Sequence, residues 1–69
     1  MIKVLLVTSK TEGLVIIQKG TRCSWRMITP ITAVRMALAL TARGHRYTMQ
    51  QSSGFTSTLF SIGEGTRNA

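Results

Sequence analysis

The chain has 69 residues, nine Lys and Arg against two Glu, no Asp, one His and one Cys, for a formal charge of +7. One cysteine closes no internal disulfide, one His with one Cys cannot complete a tetrahedral zinc site, and without an Asp to orient His45 a Ser-His-Asp triad is excluded. Glu12 and Glu64 stand towards opposite ends of the sequence, so neither a self-contained acid/base pair nor a cofactor is expected.

The size allows one small domain or part of a larger one, and such a chain buries only about 60% of the surface it exposes when unfolded. The charge favours a polyanionic partner: nucleic acid, anionic lipid or an acidic protein surface. No five-residue window holds more than two Lys or Arg, however, and charges scattered over a solvated surface fit the same count. The apolar runs at 4–7 and 14–17 are far below the ~20 residues that span a bilayer. No signal-peptide core is present either, so the expectation is a cytoplasmic chain with no membrane partner, in keeping with the unpaired Cys23.

Ile2-Lys3-Val4-Leu5-Leu6-Val7-Thr8 does not alternate cleanly, which predicts a strand over 2–8 buried on both faces, as in a parallel sheet covered by helices. The polar stretch 9–13 ends in Gly and turns the chain. Leu14-Val15-Ile16-Ile17-Gln18 reads as a second strand, 14–18, and a hairpin over 2–18 is one local solution. Residues 21–27 show no usable periodicity. Thr29 as N-cap, Pro30 in the first helical position and Gly44 just past the end mark a helix over 30–43, with Arg43 in its last turn. Its expected core stripe is Ile31, Val34, Leu38 and Ala42, joined by Ala37 and Leu40. Thr32, Arg35, Ala39 and Arg43 form the opposite face. A strand over 46–50 follows, then a loop over 51–54. Phe55, Leu59 and Ile62, spaced i, i+4, i+7, favour a short helix, although the Thr and Ser content also suits a strand over 55–62. Residues 1–63 read as one small unit and 64–69 as a frayed tail.

With 14–27 set aside, the order is strand, Gly-ended turn, capped helix, Gly-His turn, strand: a partial Rossmann-like βαβ unit of a doubly wound α/β domain. Met1-Ile2-Lys3-Val4-Leu5-Leu6-Val7-Thr8-Ser9, the Thr29–Leu40 segment and Arg43-Gly44-His45-Arg46-Tyr47-Thr48, taken in that order, resemble the N-terminal opening of GT-B fold glycosyltransferases of the antibiotic, macrolide and sterol type. Ser53-Gly54-Phe55 is similar to the loop after their second strand. The resemblance implies an acceptor-side fragment of a glycosyltransferase-like protein. It also implies that the fragment is inactive. The family's base lies three residues before the Pro, where this chain has Met27, which cannot accept a proton; Arg26 stands where the family has Gly. Residues 14–27 are then either an added hairpin strand or a stretch foreign to the ancestral chain. A lone βαβ unit also exposes a sheet edge, through which self-association is expected.

The same elements allow a ββαββ α+β fold, and with it a small basic binding protein of accessory or inhibitor type. The pairing of strand 2–8 separates the two: parallel to 46–50 in the first, antiparallel to 14–18 in the second. Arg22, Trp25 and Arg26 are the candidate anion or partner contacts, the arginines suited to phosphate and the indole to stacking on a base or sugar. A Trp that pins an irregular loop onto the core is the plainer reading of Trp25. His45 reads as a polar residue just past a helix end, and Cys23 as a free thiol.

Overall fold

The computed structural model describes residues 1–63, so the expected tail over 64–69 lies outside the described residues. Three short connections decide the architecture. Residues 9–12 join β1 (Ile2–Thr8) to β2 (Gly13–Lys19), residues 20–21 join β2 to β3 (Arg22–Ile28), and residues 53–54 join β4 (Tyr47–Ser52) to β5 (Phe55–Ile62). Connections of this length make antiparallel hairpins, because parallel strands need a crossover of a dozen residues or more. In the first turn the Ser9 amide donates to the Glu12 carbonyl at 2.9 Å, and the Ser9 Oγ accepts from the Glu12 amide at 3.1 Å. In the last, Ser53 and Gly54 have φ of 49° and 81°, the left-handed pair that matches the strand twist in a two-residue turn.

The helix α1 (Pro30–Ala42) is the single crossover. The Thr29 Oγ1 accepts from the Thr32 amide at 3.2 Å, Pro30 opens the first turn, and Gly44 (φ 87°) donates to the Thr41 carbonyl at 2.9 Å. His45 donates from its amide to the Leu40 carbonyl at 3.2 Å, closing the C-terminus. Helix entry and exit therefore follow the expected capping residues, with Arg43 as the C-cap itself.

All five strands form one antiparallel sheet in the order β3-β2-β1-β5-β4. This overturns the Rossmann-like βαβ unit. β1 and β4 are not neighbours, since β5 lies between them, and β1 pairs antiparallel with both β2 and β5. The helix leaves β3 at one edge and delivers the chain to β4 at the other, so the strands it joins never meet. The ββαββ alternative lacks β3, which occupies the stretch where no periodicity was visible. Residues 55–62 form β5 rather than a helix.

Register places Val4, Leu6, Val15, Thr58 and Phe60 on the face beneath α1, all buried, and α1 packs there over β1 and β2. Ile2, Ile28, Met36, Ala37, Leu40 and Ile62 surround this core. The helix seats itself through Ala33, 2% exposed, with Met36, Ala37 and Leu40. The expected stripe is thus out of phase: Ile31, Val34 and Leu38 are 69%, 56% and 64% exposed. Small Ala33 and Ala37 let the helix approach a sheet whose own Leu6 and Phe60 supply the bulk. Leu5, Val7, Leu14, Ile16 and Leu59, on the reverse face by alternation, are only half-buried.

Candidate binding surfaces

Arg22, Trp25 and Arg26 all lie on β3, an edge strand exposed along nearly its whole length. Strand alternation separates them. Arg22, Ser24, Arg26 and Ile28 fall on the helix-bearing face, whereas Cys23, Trp25 and Met27 fall on the reverse face. The stretch is a strand and not an irregular loop, and Trp25 is 69% exposed, so it does not anchor anything to the core. Met27, at the place of the family base, sits opposite Leu14 on that reverse face and is 55% exposed, with no proton-accepting role open to its thioether.

At the tip of the β2–β3 hairpin Lys19 stands directly opposite Arg22, and Arg26 follows on the same face opposite Val15. Like charges placed opposite one another across a ladder repel. Glu12, the single carboxylate among the described residues, lies beyond the other end of β2, about 20 Å away along the strand. The Arg26 side of the helix is a groove formed with Val15, Ile17, Ser24, Thr32 and Met36, open to solvent.

The other flank of α1 has the opposite chemistry. A groove of about 310 Å³ runs between the helix and the β5–β4 edge, walled by Val34, Leu38 and Thr41 and floored by Leu6, Tyr47, Met49, Thr58 and Phe60. No charged residue lines it. Its existence follows from dimensions: strands about 4.8 Å apart make a sheet of five about 19 Å across, and a helix about 10 Å wide covers half of it. β4 itself, Tyr-Thr-Met-Gln-Gln-Ser, carries no charge, whereas the β3 edge is guarded by its two arginines.

Sequence reasoning marked the arginines and Trp25 but missed the groove, because it assigned Val34 and Leu38 to the core. Among the described residues no three His, Cys, Asp or Glu side chains cluster as metal ligands would. No helix among them is long and apolar enough to cross a membrane. No protein-family model, curated protein or solved structure matches the chain.

Proposed function

We propose that this chain is a small basic binding module whose ligand is nucleic acid, engaged through the β2–β3 hairpin. The observation that carries the reading is the register pair Lys19–Arg22 with Arg26 beyond it, three cationic residues on one face of an edge hairpin. Phosphate oxygens are the acceptors that bidentate guanidinium contacts from Arg22 and Arg26 suit. Trp25, on the reverse face of the same strand, offers an indole for stacking on an unpaired base. The glycosyltransferase resemblance implied a parallel βαβ unit, which the antiparallel sheet lacks, and we do not take its functional implications further.

Fluorescence anisotropy with labelled single-stranded and duplex oligonucleotides, from about 50 to 200 mM salt, tests the proposal. Three phosphate contacts correspond to a slope of log K against log salt of about −2 to −3. A chain that binds neither probe at the lowest salt contradicts the reading, as does binding with no salt dependence.

A further inference from the structure

We infer that the nucleic acid is single-stranded, and that it passes along the free edge of β3 with its phosphates on Arg22 and Arg26 and a base stacked on Trp25. The inference rests on the nucleic-acid reading and narrows it to one form of the ligand.

Register excludes the way a hairpin enters a duplex. The major groove, about 12 Å wide, admits an α-helix or a two-stranded β-ribbon, and a ribbon must project from its sheet to enter. Here β1 pairs with β2 as far as Ile2 opposite Lys19, so the sheet extends to the tip of the hairpin and only residues 20–21 pass its end. Over β2, α1 packs on the same face that carries the arginines. The hairpin is therefore a fixed sheet margin and not an arm. A duplex lying against this margin offers phosphates to the arginines, but its base faces stay stacked within the helix, out of reach of Trp25.

The edge sorts charge from ring. Arg22 and Arg26 lie about 13 Å apart along β3 on the helix-bearing face. Trp25 falls between them in sequence but on the reverse face, 69% exposed. Its neighbours there are Cys23 and Met27 along the strand and Ile16 opposite, so no charge stands beside the indole to draw a phosphate. A single strand supplies what this arrangement needs, because its phosphates track a cationic edge while its unpaired bases are free to stack on an aromatic ring. Run along β3, it sets its backbone on the arginine side and turns a base round the margin onto Trp25. Among the described residues no strand lies beyond β3 to block that passage. One indole and two spaced arginines carry no hydrogen-bond pattern for a particular base, so the preference is for unpaired strands and not for a sequence.

Trp25 is the chain's one tryptophan, so its emission reports the contact directly. The full chain is titrated at low salt with a labelled mixed-sequence oligonucleotide of about 12 nucleotides, and with the same strand annealed to its complement. Anisotropy and Trp25 emission are followed together. The expected result is binding of the single strand about tenfold tighter than of the duplex, with Trp25 emission quenched by the single strand alone. Trp25→Ala, checked for the wild-type far-UV circular dichroism spectrum, should lose most of that preference and bind the duplex as before, whereas Trp25→Phe should keep it. Equal affinity for the two forms overturns the inference and leaves the nucleic-acid reading standing. So does single-strand binding that leaves Trp25 emission unchanged at saturation, or a Trp25→Ala protein weakened equally towards both forms. Binding of neither form contradicts the nucleic-acid reading itself, and the inference falls with it.

Discussion

The ring of Tyr47 rests against that of Phe60, with centroids 5.1 Å apart and planes at 46°. Among the described residues Phe60 is the one large side chain with no exposed surface, and Tyr47, on the edge strand, closes it off from solvent. The pair ties β4 to a core in which Val4, Leu6 and Val15 are the other buried large side chains. Truncation of Phe60 to Ala should cost about 3–5 kcal/mol, enough to unfold a domain of this size. Tyr47→Ala should cost less, because that ring is already 45% exposed. Urea denaturation of the two variants checks the order, and a Phe60→Ala protein as stable as wild type would contradict this core.

Gly13 is fixed by a close approach. A Cβ there would lie 2.9 Å from the Ile28 carbonyl oxygen and 3.2 Å from that of Thr29, backbone atoms at the junction of β3 and α1. Gly13→Ala should therefore destabilise by about 1–3 kcal/mol through overpacking. Thermal unfolding measures it, and an unchanged midpoint would show that the junction yields freely.

The helix start gives a second local test. Thr29→Ala removes the acceptor for the Thr32 amide and should cost about 1 kcal/mol, whereas Thr29→Ser should restore most of it. A loss that Ser does not recover would assign the effect to the threonine methyl rather than to capping.

Parts of this fold were legible because their signals are local. Thr29, Pro30 and Gly44 carry capping geometry that no tertiary contact alters, and the strands at 2–8 and 14–18 are apolar enough to be read directly. β3 was invisible because an edge strand exposed on both faces needs no apolar alternation, and Arg-Cys-Ser-Trp-Arg-Met-Ile has none. At β5 the helical spacing outweighs the strand over 55–62 that its Thr and Ser content also suits, for a related reason. Its core-facing positions are Thr56, Thr58, Phe60 and Ile62, and the buried Thr58 masks the period of two. Phe55, Leu59 and Ile62 then mimic a helical repeat. The doubly apolar β1 suggested a parallel strand, yet β1 is central in an antiparallel sheet with one face under α1. The candidate site was legible as residue types on 22–26 but not as geometry, since only the strand places Trp25 on the other face from its arginines. The exposed stripe of α1 was seen and assigned to the core, because periodicity finds an apolar face without saying what covers it.

The central claim is that the β2–β3 hairpin, rather than net charge alone, binds nucleic acid. Two double variants of equal charge loss separate these: Arg22→Ala with Arg26→Ala, and Arg35→Ala with Arg43→Ala. Anisotropy titrations at one fixed low salt concentration should show the hairpin variant weakened at least tenfold, about 1.4 kcal/mol, and the helix variant close to wild type. Equal weakening of both would contradict the account.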